Sequence, residues 1–299
     1  MPWMIVGTIP YEDFPLVDAE CSFANSMLRV GDHTVPVIRG TTALTAAACI
    51  TAKFLGLEPP RVVLSGDIGL GNGSTRVYEH LTRTLGDNKI ETIVFHYLLP
   101  EIDWHNRILI KLDDLSDRPI LIADAGYMYV AKMSGFSGSY DLFTPDAGEM
   151  AFLADERAPH PFYTRGFLLQ EEERIPELIE RAYRYENAAR CLLVKGRCDF
   201  VATDDGILKE VAEPCVENME PIGGTGDTLT GIVTALIAGR IPISEAAMIA
   251  ARTNRVMGAL SNPTPASSVA DLLPGLSAAL NQVISQENEG AFEGQSACS

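Results

Sequence analysis

Short apolar segments that are typical of buried strands alternate with segments of helical periodicity along most of this chain. The clearest strand candidates are RVVLSG (61–66), ETIVFHYLL (91–99), RPILIAD (118–124) and CLLVKG (191–196). Strands separated by helices build βαβ units, in which successive strands lie parallel and helices cover both faces of the sheet. The pattern therefore predicts an α/β fold, with a doubly wound, mostly parallel sheet flanked by helices in a single domain over 1–286.

The remaining segments complete this prediction. VPVIRG (35–40) is expected to be a strand that leads into an alanine-rich helix, with Thr41 or Thr42 as the N-cap of that helix. The residues DDG (204–206) indicate a hairpin at one edge of the sheet. Helices are predicted over 41–57, 104–115, 171–190, 227–238, 244–260 and 268–286. The polar, aperiodic segment 287–299 is predicted to be a disordered tail.

The charge of the chain restricts its partners. Forty acidic residues against 23 basic residues give a formal net charge of −17. This charge repels phosphate backbones and anionic membrane surfaces, so nucleic acid and membranes are excluded as expected partners. The six cysteines form no CxxC pair, and no segment approaches the roughly 18 apolar residues of a membrane span. The amino terminus also lacks the basic region of a signal peptide, and we therefore expect a cytoplasmic protein with reduced thiols.

The stretch PIGGTGDTLTG (221–231) is the strongest indication of chemistry. Gly223, Gly224 and Gly226 surround Thr225 just where a helix is predicted to begin. Glycines before a helix allow several backbone N–H groups to point into one concavity, and the helix dipole adds positive potential there. Such a turn binds phosphate or another developing anion.

Asp227 follows directly in the first helical turn. A carboxylate beside an anion site would hinder simple anion binding. It is useful if it accepts the proton of a hydroxyl whose oxygen then attacks a phosphoryl group held by the turn. The alternative is that Asp227 only caps the helix or complements its dipole, and the residues alone leave both interpretations open.

GGTGDTLTG followed by IVTALIAG resembles the anion-hole and catalytic-aspartate motif of the ribokinase-like superfamily, and most of all the ADP/ATP-dependent NAD(P)H-hydrate dehydratases. Three further stretches resemble other motifs of that family in the same order: LIADAGYM (121–128), LFTPDAGEMAFL (142–153) and LLVKGRCDFVATDDG (192–206). Together they cover about residues 118–260. The resemblance implies a ribokinase-like fold, a small-molecule substrate with a nucleotide as partners, and, since many superfamily members assemble symmetrically, a homo-oligomer.

The resemblance also implies a role for each matching residue. Asp227 would be the catalytic base, with the backbone amides of Gly224, Thr225 and Gly226 as the anion hole. The nucleotide, ATP or ADP, would contact Lys195, Gly196, Gly223, Thr225 and Gly226. The substrate would contact Asp124, Thr144, Asp146 and Asp227, and Glu149 would bind Mg²⁺ through water. Two alternatives remain: Lys195 as a surface lysine, and Glu149 as a helix-terminal charge with Thr144 or Asp146 as the cap.

Several departures from the family pattern lie on the expected substrate side. Asp146 and Ala147 replace a histidine and a proline, and HYLLPEIDW (96–104) replaces a glycine-rich loop. Within that segment His96 is interpreted as a core histidine, and SGDIGLGNGST (65–75) is interpreted as a tight structural turn. Three functions therefore remain: a dehydratase for hydrated NAD(P)H, a kinase for another small alcohol, and a nucleotide-binding module without turnover.

Overall fold

A sheet of eleven strands forms the centre of this computed structural model. The structure describes residues 2–87, 89–156 and 174–296, without the side chains of 288–296. The strands are β1 Trp3–Ile9, β2 Val17–Ala24, β3 Met27–Val30, β4 His33–Pro36, β5 Arg61–Gly66, β6 Thr92–His96, β7 Ile120–Ala123, β8 Leu142–Phe143, β9 Cys191–Val194, β10 Asp199–Thr203 and β11 Gly206–Val211. Their order in the sheet is β11-β10-β9-β8-β7-β6-β1-β5-β2-β3-β4.

Six neighbouring strands run parallel, in the order β9, β8, β7, β6, β1 and β5. This arrangement confirms the predicted fold class. Within this parallel part β1 lies between β6 and β5, and all seven of its residues are buried. The sequence analysis considered this segment only as a candidate signal peptide and missed the strand. A strand covered on both faces shows no polar alternation, so a short apolar run is its only signal.

Both edges of the sheet are antiparallel. The predicted hairpin is confirmed as β10 and β11, with a turn at 204–205. At the opposite edge, β2, β3 and β4 form a meander that the sequence analysis did not predict. The expected strand over 35–40 is wrong beyond Pro36, because the following residues form a loop that ends at Gly40.

Helices cover the two faces of the sheet. They are α1 Thr41–Leu55, α2 Asn72–Thr84, α3 Ile102–Asp113, α4 Gly126–Met133, α5 Ala147–Ala154, α6 Ile175–Arg184, α7 Thr225–Ala238, α8 Ile243–Ser261, α9 Val269–Leu272 and α10 Leu276–Ser296. On one face of the sheet, α1, α7, α8 and α10 pack to form one hydrophobic core. On the other face, the five helices α2, α3, α4, α5 and α6 form a second core. Among these described helices, none has the length and apolar character needed to cross a membrane.

Helix α1 packs against α7 more closely than side chains would allow. A Cβ on Gly231 would lie 2.1 Å from the carbonyl oxygen of Leu44, so only glycine permits this approach. The predicted N-caps of α1, Thr41 and Thr42, are wrong. The N-cap is Gly40, at a φ of 66°, because both threonine hydroxyls donate instead to backbone carbonyls, that of Thr41 to a residue of β1.

Two predicted segments extend beyond the described residues. The helix expected over 171–190 is described as α6, and 171–173 lie outside the described part of the chain. The backbone of 287–296, within the predicted disordered tail, continues α10 to Ser296, and the last three residues are again outside the described part.

Candidate active site

The glycine-rich turn forms the amino terminus of α7. Gly224 is the N-cap, with a φ of 102°, and a Cβ there would lie 3.1 Å from the Cα atom of Arg39 and 3.2 Å from the side chain of Val269. Both the backbone angle and the space therefore favour glycine. The first intrahelical hydrogen bond is donated by the amide of Thr228 to Gly224. The amides of 225–227 precede that bond, and they form the positive end of the helix dipole.

The carboxylate of Asp227 has its hydrogen-bond partners in two other elements and not in its own helix. Its Oδ2 accepts a hydrogen bond of 2.6 Å from the amide of Gly40 at the start of α1. Its Oδ1 lies 3.1 Å from Nε2 of His96 at the end of β6. The interpretation of Asp227 as the cap of α7 does not account for these partners, since the N-cap is Gly224 and Asp227 caps no amide of its own helix.

The surroundings of Asp227 favour its ionised form. Burial alone disfavours a carboxylate, but the hydrogen bond and charge of His96, the charge of Lys195 and the amide of Gly40 outweigh burial and lower the pKa of Asp227 below its ordinary value. Its side chain is 13% exposed, so a substrate can still reach it. Asp227 is thus an ionised, accessible acceptor for a proton at neutral pH.

His96 is the functional candidate that the sequence analysis placed in the core. It is fully buried, as predicted, but its two ring nitrogens lie within hydrogen-bond distance of Asp227 and Thr41. Its Nε2 also lies 3.7 Å from Oδ2 of Asp124. The signal that could have identified it is its position as the last residue of a parallel strand, because ligands bind at the carboxyl ends of such strands.

Lys195 and Asp124 form a buried ion pair at the ends of β9 and β7. The Nζ atom of Lys195 lies 2.9 Å and 3.0 Å from the two carboxylate oxygens of Asp124. Burial opposes the ammonium, but the charges of Asp124 and Glu149 prevail and raise the pKa of Lys195 above its ordinary value. The alternative of a surface lysine is therefore wrong. Thr230 also donates to Asp124, over 2.6 Å.

The loop after β8 carries three further candidate residues, Thr144, Asp146 and Glu149, which have different surroundings. Thr144 is fully buried, and its hydroxyl oxygen lies 3.1 Å from that of Thr230, which itself donates to Asp124, so Thr144 belongs to the surroundings of the ion pair and does not cap α5. Asp146 is the N-cap of α5 and forms a reciprocal capping box with Glu149, as one alternative predicted. Burial, followed by the charge of Asp146, raises the pKa of Glu149 well above its ordinary value.

A cavity of about 610 Å³ is bordered by several of these residues, among them Asp124, Asp146, Glu149, Lys195 and Asp227. Among the described residues that line it are seven acidic side chains, Asp124, Asp146, Glu149, Asp199, Glu217, Glu220 and Asp227, and three basic ones, Lys195, Arg197 and Arg255. Two of the three basic groups are already paired, Lys195 with Asp124 and Arg255 with Asp199 at 2.8 Å. The lining therefore carries an excess of negative charge.

Two other clusters have structural explanations. The atoms of His96, Asp124 and Asp227 that could bind a metal lie within 4.8 Å of one another. The ammonium of Lys195 already neutralises Asp124, so the cluster forms an ion-pair network rather than a metal centre. In the 65–75 loop, Asp67 accepts hydrogen bonds from the amides of Gly69, Leu70, Gly71 and Ser74, which agrees with a tight structural turn.

Comparison with known proteins identifies relatives of the chain. It is 35% identical over 242 residues to the uncharacterized protein MJ1337 of Methanocaldococcus jannaschii, a match that covers 81% of this chain and 100% of that protein. The chain belongs to the MJ1337 family. No protein-family model matches this member of the family.

Further comparisons relate this MJ1337-family protein to one more sequence relative and to solved structures. The bifunctional NAD(P)H-hydrate repair enzyme Nnr of Hyperthermus butylicus is 32% identical over 121 residues, which are 40% of this chain and only 22% of that enzyme. The crystal structure of the ADP/ATP-dependent NAD(P)H-hydrate dehydratase from Bacillus subtilis, co-crystallised with ATP and Mg²⁺, matches with a TM-score of 0.56 and 14% identity, over 95% of this chain and 88% of that one.

A ribokinase-like superfamily protein of Enterococcus faecalis matches with a TM-score of 0.58 and 15% identity, over 94% of this chain and 87% of that one. At these identities the likeness concerns the fold. The ribokinase-like fold predicted from the sequence is confirmed for this MJ1337-family protein. The catalytic and binding roles of its individual residues stay predictions.

Proposed function

We propose that this MJ1337-family protein transfers a phosphoryl group from ATP or ADP to the hydroxyl of a small molecule, and that hydrated NAD(P)H is that molecule. The observation that carries the proposal is the position of Asp227, an ionised carboxylate in the first turn of α7, beside amides that have no partner within the helix. Phosphoryl transfer to a hydroxyl needs a proton acceptor and a concentration of N–H donors at one place.

The first proposed step is phosphorylation. The proton of the substrate hydroxyl moves to Asp227, and the hydroxyl oxygen forms a bond to the terminal phosphorus of the nucleotide. The bond from that phosphorus to its bridging oxygen breaks, which releases ADP from ATP or AMP from ADP. The amides of Thr225 and Gly226 face the charge that develops on the transferred group and stabilise it.

The second proposed step is elimination. The lone pair of the ring nitrogen expels the phosphate from the adjacent carbon, and that carbon's neighbour in the ring loses a proton. The reduced nicotinamide is thereby restored, with one water equivalent removed from the hydrate. The partial similarity to a curated NAD(P)H-hydrate repair enzyme supports this substrate over other alcohols.

The acidic residues of the cavity fit a divalent cation that accompanies the nucleotide. Asp146 and Glu149 face the cavity at the start of α5, and a divalent cation there would favour the ionised form of Glu149, since carboxylate oxygens are the ligands that Mg²⁺ prefers. The excess of negative charge in the lining, which would otherwise repel nucleotide phosphates, agrees with this requirement. When bound, Mg²⁺ supplies positive charge to those phosphates.

The hairpin side of the cavity suits the nucleotide. Arg255 donates to the carbonyls of Gly196, Arg197 and Ala212 and also pairs with Asp199. It therefore fixes the turn between β9 and β10 next to Lys195. A rigid turn with a basic residue at the carboxyl end of the sheet is suited to a phosphate-bearing ligand.

A kinase for a different alcohol is the second candidate, and the segment after β6 favours it. Tyr97 adopts a φ of 51°, exposes 43% of its surface and lines the cavity with Asp227. A glycine-rich loop stands at this place in the dehydratases that the sequence resembles. An aromatic ring here changes the shape of the site where the hydroxyl-bearing substrate would bind.

The test is to incubate the purified protein with hydrated NADH, Mg²⁺ and either ATP or ADP, while the absorbance of reduced nicotinamide is followed. Nucleotide-dependent recovery is expected, and it identifies the nucleotide used. The Asp227→Asn variant is the negative control. Nucleotide consumption with another alcohol, but none with the hydrate, would favour the kinase. Nucleotide binding without consumption in either assay would contradict catalysis and support a non-catalytic module.

A further inference from the structure

The two ring nitrogens of His96 have different partners. Its Nδ1 lies 2.9 Å from the hydroxyl oxygen of Thr41. That hydroxyl has one hydrogen, and it is donated to the carbonyl oxygen of Thr8 over 2.7 Å. The Thr41 oxygen is consequently an acceptor toward the ring, because a hydroxyl carries one donor and two acceptor positions. Nδ1 of His96 therefore bears a hydrogen.

The other nitrogen faces carboxylates. Nε2 of His96 lies 3.1 Å from Oδ1 of Asp227 and 3.7 Å from Oδ2 of Asp124. An ionised carboxylate accepts hydrogen bonds and donates none. Asp124 accepts hydrogen bonds from both Lys195 and Thr230, and its charge raises the pKa of Lys195. A bare lone pair on Nε2 would point at negative charge, so Nε2 also bears a hydrogen.

The buried charges balance only with a cationic ring. Two carboxylates, Asp124 and Asp227, lie beside one ammonium, that of Lys195. A neutral His96 would leave one buried negative charge without compensation, which is costly in a site shielded from water. Glu149 is the next charged group around this set, and burial keeps it toward its neutral form. Tyr97 contributes only its ring, packed edge-on at 4.4 Å from that of His96.

We propose that His96 is an imidazolium at neutral pH and acts as a positioning residue, clamped by Thr41 on one side and holding the carboxylate of Asp227 on the other. The Asp227 carboxylate is then fixed at both oxygens, by His96 and by the amide of Gly40. In this arrangement the base is oriented and stays ionised until the substrate's proton arrives. The proposal deepens the proposed function, but the protonation state belongs to the resting protein.

The decisive measurement is the ¹⁵N spectrum of protein labelled only at histidine. His96 is expected to show two protonated ring nitrogens throughout pH 6 to 8.5. His105 provides an internal reference, because burial lowers its pKa to about 4 and its ring is neutral in this range. The His96→Gln variant assigns the signal by its loss. The His80→Gln variant, which alters a histidine paired with Asp18 outside the site, keeps it.

Thr41 provides a matched pair of variants. Thr41→Ser keeps the hydroxyl acceptor, and the imidazolium signals are expected to remain. Thr41→Val removes the acceptor, so the Nδ1 signal is expected to shift. The Nε2 atom is expected to stay protonated. A His96 with one unprotonated nitrogen at pH 7 in the unaltered protein would overturn the proposal, whether or not any activity has been found. The same holds if Nε2 accepts a proton from a neutral Asp227.

The positioning role has its own readout in the pH profile of activity. His96→Gln removes a positive charge beside Asp227, so the pKa of Asp227 rises and the acid limb of kcat/KM moves to higher pH. We expect the acid limb of kcat/KM to move upward by about 1–3 pH units, with recovery toward the unaltered value above that limb. A uniform loss at all pH values, in a variant that melts like the parent, would contradict the role. An absence of turnover in the unaltered protein would instead count against the proposed function and leave the ¹⁵N result standing.

Discussion

The amide of Gly40 donates a hydrogen bond of 2.6 Å to Oδ2 of Asp227, and this bond joins the start of α1 to the first turn of α7. The two residues are 187 positions apart in the chain. Gly40 can present its amide in this direction because its φ of 66° and ψ of −146° belong to a region that is essentially restricted to glycine. The packing of α1 on α7 and the orientation of the candidate base are thus one structural feature.

Replacement of Gly40 by alanine should disturb both stability and activity. The Gly40→Ala variant is expected to lose about 1–3 kcal/mol of unfolding free energy, because alanine does not adopt this backbone conformation without strain. Urea denaturation measures the loss. Gly56→Ala is the matched control, since Gly56 also has a positive φ, of 69°, but lies at the far end of α1 with open space around it. Equal activity losses in both variants would contradict a specific role for the Gly40 amide.

The Asp227→Asn variant should lose turnover by several orders of magnitude. The amide side chain retains the shape and an acceptor for the Gly40 bond, but it cannot take the proton of the attacking hydroxyl. Nucleotide affinity, measured by calorimetry, should stay within a few-fold of the unaltered protein, because the amides of α7 are unchanged. The exposed Asp271→Asn serves as a control. Near-normal turnover of Asp227→Asn would contradict the role of Asp227 as the catalytic base.

Removal of the Lys195 ammonium should destabilise the fold. Asp124 is 1% exposed, so Lys195→Met leaves it in the interior with its main counter-charge missing. We expect a loss of about 3 kcal/mol in unfolding free energy, measured by urea denaturation. In Lys195→Met/Asp124→Asn part of this loss should return. Lys89→Met, which removes a 61% exposed ammonium, should change stability by less than about 0.5 kcal/mol.

His105 should make stability depend on pH on the acidic side. Burial lowers its pKa from 6.5 to about 4, so between these values the unfolded chain binds a proton that the folded protein does not. Stability therefore falls as the pH decreases through this window, and the contribution reaches about 3 kcal/mol at its lower end. Urea denaturation at pH 4.5 and pH 7 measures the slope. In His105→Gln the slope over this window should be smaller, and an unchanged slope would contradict the assignment.

The sequence was sufficient to predict those parts of the candidate site that depend on local backbone geometry. The turn at Gly224 and the helix that begins at Thr225 are determined by neighbouring residues, and the glycines indicate them directly. The order of apolar segments likewise predicted the parallel part of the sheet. The hairpin of β10 and β11 followed from its turn residues.

Contacts between distant segments could not be predicted in the same way. His96 and Asp227 are 131 positions apart, and they meet only because β6 ends beside the start of α7. In the sequence, a histidine inside an apolar strand has the pattern of a core residue. Gly40 shows the same limit, since its role depends on the approach of another helix and not on its neighbours. The strand β1 was missed because a buried central strand lacks the alternation that marks a half-exposed one.

The position of β1 inside the parallel part of the sheet also has a consequence for the order of assembly during synthesis. β1 precedes in the chain both strands that flank it, and its nearest sheet partner, β5, begins only at Arg61. Until that segment has left the ribosome, seven residues that are buried in the finished sheet remain without strand partners. The nascent chain therefore carries an exposed apolar segment during this interval, and it is a natural substrate for chaperones that bind extended apolar peptides.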